Sequence, residues 1–206
     1  MVKEGYWYGL PLLVAAAAAF LVRLYAPGFV FLAIAVFVLN FFRDPERMVP
    51  SDPRVIVSPA DGRVVQIVEE QVEGEIRRRV SIFMSPWDVH VNRAPVAGVI
   101  RAVSYKPGVF HVASRREASV ENEQNVFSIE GEFGTVWVKQ IAGALARRIV
   151  FWKHTGDRLE RGERVGLIKF GSRVDLIAGL GAEWKVKVGD RVKAGSTILG
   201  VAGPGA

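Results

Sequence analysis

Between Gly5 and Phe42 the chain carries one charged side chain, Arg23, and this charge-poor stretch divides the sequence into two unlike parts. The first apolar run, 5–22, holds five consecutive alanines and no charge. The second, 28–42, begins after Pro27. A helix needs about 20 apolar residues to cross the hydrocarbon core of a bilayer, with a lower limit of about 17. The first run meets this narrowly, and the second falls short unless residues 24–27 extend it. Pro27 and Gly28 are expected to supply the turn between them. Residues 1–47 therefore read as a hydrophobic helical hairpin that attaches the protein to a membrane, with Tyr6, Trp7, Tyr8 and Tyr25 as interfacial aromatics. Lys3 precedes the pair, and Arg43 and Arg47 follow it. By the positive-inside rule both ends lie in the cytoplasm, which puts the rest of the chain on the cytoplasmic face of the cell membrane. A cleaved signal peptide would not be followed at once by a second apolar run.

From residue 48 onward the pattern changes. Short runs rich in valine and isoleucine, at 55–57, 63–68, 78–83, 98–105, 126–129, 135–140 and 173–177, alternate with Gly, Pro and Asp. Spacing of roughly ten residues predicts a mainly β body, a compact barrel or sandwich. Residues 142–151 read either as one helix or as a strand followed by a turn. Two stretches look alike: SPADGRV at 58–64 and VGDRVKAG at 188–195, each with Asp and Gly in a tight turn between valine-rich segments. The second resembles the hairpin of biotinyl and lipoyl carrier domains, which implies a barrel-sandwich-like body. No lysine stands in a carrier's modification turn, so the likeness is one of architecture.

Twenty-seven Lys and Arg stand against twenty-one Asp and Glu. A basic surplus beside an apolar head favours acidic lipid headgroups. The cations are scattered among the strands and are not interleaved with aromatics, which argues against nucleic acid. With no cysteine and three histidines, His90, His111 and His154, in no zinc-like spacing, no metal site is expected.

Chemistry concentrates at Gly171-Ser172, a small-residue pair between two extended apolar stretches. Glycine permits unusual backbone angles and leaves its carbonyl open to attack, and serine supplies a hydroxyl. Such a bond can shift to an ester and then eliminate across the serine. Elsewhere a Gly-Ser pair in a hairpin is an ordinary turn. Asp61, in a turn before glycine, and His90 are candidates for proton transfer.

The order of motifs narrows the choice. A hydrophobic head is followed by FFRDPER at 41–47, SPADG at 58–62, FMSPWDVHVNRAP at 83–95, ENE at 121–123 and GLIKFGS at 166–172. Together they resemble the short, bacterial and archaeal type of phosphatidylserine decarboxylase over nearly the whole chain. The resemblance implies self-cleavage between Gly171 and Ser172, giving a β chain of residues 1–171 and an α chain of residues 172–206. It implies conversion of Ser172 into a covalent pyruvoyl group, the electron sink for decarboxylating phosphatidylserine to phosphatidylethanolamine. It also implies catalytic roles for Ser172, His90 and Asp61, and substrate contacts for Arg93 and His111. Phosphatidylserine in the membrane is the partner implied, with the two chains of one precursor held together; homo-oligomers fit equally. Long members of the family carry a second histidine where this chain has Arg93, and threonine where it has Arg173. The base for self-cleavage is thereby left open. An archaeal-type serine lipid would meet the same headgroup site, and a non-enzymatic membrane-tethered adaptor would leave the Gly171-Ser172 pair without a use.

Overall fold

The computed structural model describes residues 1–108, 122–143, 148–169, 172–179 and 181–203. Two compact units emerge, Met1–Glu46 and Arg47–Ala206. The first is a pair of apolar helices, α1 (Lys3–Leu21) and α2 (Tyr25–Phe41). Glycines let them approach closely: a Cβ at Gly9 would stand 2.5 Å from Leu39 Cδ2, and one at Gly28 would stand 2.6 Å from the Phe20 ring. Phe20 meets Phe29 edge-on, and Tyr8 stacks on Phe42. The turn does not use Pro27 and Gly28 as the sequence suggested. Arg23, at φ 63°, closes α1 in the left-handed conformation, and the Leu24 N–H returns to the Ala19 carbonyl at 2.8 Å. Pro27 instead occupies the first turn of α2, where a helix has no internal acceptor for the missing N–H. At 19 residues α1 is long and apolar enough to cross a membrane, whereas α2, at 17, is shorter.

The second unit is mainly β. Its strands are β1 (Val55–Val57), β2 (Gly62–Val72), β3 (Glu75–Met84), β4 (Val91–Arg93), β5 (Gly98–Lys106), β6 (Gln124–Gly131) and β7 (Gly134–Ala142). These are followed by β8 (Arg148–Phe151), β9 (Arg158–Leu159), β10 (Arg164–Lys169), β11 (Ser172–Gly179), β12 (Glu183–Trp184), β13 (Arg191–Val192) and β14 (Ile198–Val201). Eight form a curled half-barrel in the order β13-β2-β3-β11-β7-β6-β5-β9; β1-β14-β12 and β4-β10-β8 form two smaller sheets. Register shifts between Val64 and Gln66 and between Ile100 and Ala102 mark bulges, which bend a strand and deepen its twist.

Alternation along each strand sends one set of side chains into a common core. Val80, Ile82 and Met84 of β3, Val174, Leu176 and Ala178 of β11, and Val136, Val138 and Ala142 of β7 belong to it. All seven strands expected from the sequence lie within observed strands. The helix reading of 142–151 is corrected: β7 runs to Ala142, and Arg148–Phe151 is a strand paired with β10, Gly166 opposite Phe151. Ile149, Val150 and Phe151 suit a pleated strand, and their pairing outweighs the alanines before them.

The two look-alike stretches lie side by side. Val64 N–H donates to the Asp190 carbonyl at 2.9 Å, Gly189 N–H to Val64 at 2.8 Å, and Gly195 N–H to Ser58 at 2.8 Å.

Candidate active site

Ser172 is the first residue of β11, a strand covered on both edges. It stands opposite Met84 of β3 and Ala142 of β7 and is fully buried. Its Oγ donates to the Met84 Sδ at 3.4 Å. A thioether is a weak acceptor, so the hydroxyl is oriented without being strongly engaged. The same sulfur lies 3.8 Å from Asn92 Nδ2. Asn92 Oδ1 accepts from Gln140 Nε2 at 2.8 Å, and Gln140 Oε1 accepts from Asn125 Nδ2 at 2.9 Å. A line of buried amides drawn from β4, β7 and β6 thus ends on the serine's acceptor. Asn122 closes the next position, its Nδ2 donating to the Ala142 carbonyl at 2.6 Å.

The chain between Met84 and His90 leaves the serine's neighbouring strand and returns beside β10, the strand that leads to residue 170. Asp88 builds this loop: its Oδ2 accepts from both the N–H and the Oγ of Ser85, each at 2.8 Å. His90 is 1% exposed, with Nδ1 2.9 Å from the Asp88 carbonyl and its own carbonyl accepting from Ile168 N–H at 3.3 Å. A carbonyl only accepts, so Nδ1 carries the proton, and Nε2 is the basic nitrogen of the ring.

Asp61 lies at the same end of the sheet, two residues before Arg63, which stands opposite Phe83; Phe83 in turn stands opposite Arg173. Its carboxylate is not available as an open base. Arg47 Nη2 donates to both oxygens, at 3.0 and 2.9 Å, and Ala194 N–H donates to Oδ1 at 2.8 Å. These three contacts hold the carboxylate in place and lock the 58–62 turn to the 193–195 turn.

The other sequence-derived residues divide differently. Arg93 is buried with Nη1 donating to the Gly162 carbonyl at 3.0 Å, which ties β4 to the turn before β10. Gly171 and His111 lie outside the described residues. His154 is far from the serine: its side chain is 88% exposed on a turn whose Gly156 N–H bonds Ile100, at the opposite end of the half-barrel. The hydrogen-bonding roles of Met84, of Arg47 and of the Asn92–Gln140–Asn125 line were not foreseen from the sequence, which offered Met84 as apolar surface and Arg47 as a flanking charge. Arg47 and Met84 sit inside the motifs already quoted, but their partners, 14 and 88 residues away, give no local signal.

The reverse face of β11 is charged and equally buried. Asp175 (0% exposed) pairs with Arg79 at 3.2 Å and with Arg173 at 2.9 Å. Arg79 also pairs with Glu70 at 3.1 Å. Lys139 stands opposite Asp175; burial pulls its ammonium below the usual lysine range, and the attraction of Asp175 works against that shift.

Residues 34–200 match the family model for phosphatidylserine decarboxylase. The chain belongs to the phosphatidylserine decarboxylase family. It is 51% identical to the phosphatidylserine decarboxylase proenzyme of Solibacter usitatus over 97% of this chain and 95% of that one. It is 46% identical to the Trichlorobacter lovleyi proenzyme over 95% and 94%. With the Salinibacter ruber proenzyme it shares 51% identity over 80% of this chain and 75% of that one. The family is one of lyases in phospholipid synthesis whose members are made as proenzymes, and this chain is an enzyme of that kind.

Proposed function

We propose that this protein decarboxylates phosphatidylserine to phosphatidylethanolamine after cutting itself between Gly171 and Ser172. The observation that carries the reading is Ser172 itself. A buried hydroxyl heads a central strand, is held by a thioether among the described residues, and has His90 on the loop that follows its neighbour Met84. In the cut, Ser172 Oγ adds to the carbonyl of residue 171, the amide C–N bond breaks, and the hydroxyl proton passes to the nitrogen. Loss of the α-proton of residue 172 then breaks its Cβ–Oγ bond and releases residues 1–171 as a carboxylate. The dehydroalanine left behind exchanges its nitrogen, as ammonia, for a water oxygen.

The surroundings suit the neutral pyruvoyl group that results. Met84 and Ala142 flank the position, and no charged side chain shares its face of β11. A pyruvoyl carbonyl supplies the electron sink that decarboxylation of an amino acid requires. His90 Nε2, the basic ring nitrogen, takes up a proton from solvent and passes it to the substrate carbon, with the Asp88 carbonyl holding the ring tautomer. Asp61, paired with Arg47, fixes the turn beside the site and is assigned to catalysis through that turn. Arg93 and His111 are assigned to the headgroup. Residues 1–47 act as the tether and 48–206 as the catalytic body on the cytoplasmic face of the cell membrane.

Release of carbon dioxide from carboxyl-labelled phosphatidylserine in vesicles by the reconstituted full chain tests the reaction. The expected result is release from the lipid that far exceeds release from free serine, and none from Ser172→Ala. Equal turnover of free serine would overturn the lipid assignment.

A further inference from the structure

Two loops meet at the Ser172 end of the half-barrel and present a surface that the chemistry above does not use. One is the 85–88 loop, whose Trp87 is 67% exposed. The other is the 187–191 turn, whose Val188 is 57% exposed. They are joined: Arg191 Nη1 reaches Asp88 Oδ1 at 3.2 Å, and Gly189 and Asp190 bond the backbone of Val64. Around the two apolar tips stand exposed Arg63 (opposite Arg191 in the sheet), Lys187, Arg191 and Lys193. Of the nearby acids, Asp61 is turned inward to Arg47, Asp88 bonds Ser85 and pairs with Arg191 at the surface, and Asp190 accepts from the Lys187 N–H at 2.9 Å. A surface tryptophan beside an aliphatic tip, ringed by cations, has the composition of a patch that seats in an anionic lipid interface, with the indole at headgroup depth.

We infer that the Trp87 loop and the Val188 turn dip into an anionic bilayer and hold the Ser172 end of the half-barrel against the membrane. The inference rests on the lipid-decarboxylase reading for its purpose, though not for its geometry. An enzyme whose substrate stays in a bilayer needs its site turned toward the headgroups, and an apolar tether alone does not set that orientation. Here the body carries its own orienting contacts within the loop that leads to His90.

Because the chain has no cysteine, single labels are unambiguous. An environment-sensitive fluorophore on Val188→Cys is compared with one on Ile76→Cys in the full chain. The vesicles are either phosphatidylglycerol–phosphatidylcholine or phosphatidylcholine alone, each carrying nitroxide lipid. Ile76 is exposed and stands opposite Gln71, about 23 Å along β2 from Val64 at about 3.3 Å per residue. The expected result is a blue shift and nitroxide quenching at 188 in anionic vesicles, weaker in neutral ones, with 76 remaining aqueous. Labels that read the same aqueous surroundings at both positions would overturn the inference.

A second arm uses the variant R63S/K187S/V188S, which replaces none of the residues placed in the proposed site. Its turnover of phosphatidylserine in anionic vesicles should fall about tenfold, while turnover of a water-soluble short-chain phosphatidylserine stays unchanged. Unchanged turnover in vesicles, or an equal loss on both substrates, would overturn the docking role. If the wild type acted on neither substrate, the decarboxylase reading would fail, while the label positions would still report on docking.

Discussion

On one face of β11 stand Ser172, Val174, Leu176 and Ala178, packed into an apolar core; on the other stand Arg173 and Asp175, equally buried but ion-paired. The same strand thus turns its Ser172 hydroxyl toward the apolar core and anchors itself by ion pairs on the opposite face. A buried pair of charges is a poor source of net stability, since desolvation offsets most of the attraction, but it is costly to break and demanding in geometry. That would suit a strand whose first residue becomes a chain end by the proposed cut. If the proposed cut is made at residue 171, the bonds of β11 to β3 and β7 and the pairing of Asp175 with Arg173 and Arg79 are the contacts that would hold the two chains together. Chemistry and retention are assigned to opposite sides of one strand, and variants on the two sides should behave oppositely.

His90→Gln removes the proposed proton carrier on the chemical side. Decarboxylation per cut chain is expected to fall about 10²–10⁴-fold with little change in thermal midpoint. Asp175→Asn on the anchoring side should do the reverse. It removes the buried negative charge that Arg173 and Arg79 share and is expected to cost about 3–5 kcal/mol in a denaturant titration, with turnover per folded, cut chain nearly intact. If Asp175→Asn were benign to folding yet inactive, the division of labour would be wrong. Met84→Leu conserves volume, so stability should change by less than about 1.5 kcal/mol. The serine would lose its acceptor, however, and a time course of self-cleavage should slow measurably. Glu163→Gln is the mildest. Burial pushes that carboxyl up, but the Lys153 ammonium and the Glu160 N–H donate to it and hold it below the usual range. Its contribution, about 0.5 kcal/mol, is present above the ordinary glutamate range and lost as pH falls through the depressed value. Wild type and variant should therefore converge in stability under acid conditions.

The strands that positioned this site were legible because long alternating runs such as those of β3, β7 and β11 leave little choice of element. The short pieces β4, β9, β12 and β13 carry too few residues for a period, and pairing alone defines them. At the head, proline and glycine suggested the turn, yet Arg23 supplied it, since a helix can take proline into its first turn at little cost. Within the site, Ser172, His90 and Asp61 stood out by motif. The state of Asp61 did not: Ala194, which donates to it, is 133 residues away, and only the folded chain reveals that its carboxylate is already occupied. Met84 was hidden for a related reason. An apolar residue in a strand reads as core, which it is, and its role as acceptor for Ser172 comes from cross-strand register.

The measurement that decides between a self-processing enzyme and an inert precursor is the intact mass of the purified, membrane-reconstituted chain beside Ser172→Ala. The account predicts two wild-type fragments divided between residues 171 and 172. The smaller should be lighter than a serine-terminated peptide by one ammonia and reactive toward a hydrazine, and the variant should remain whole. A folded wild-type chain that stays in one piece, or a smaller fragment that keeps an ordinary serine terminus, would contradict it.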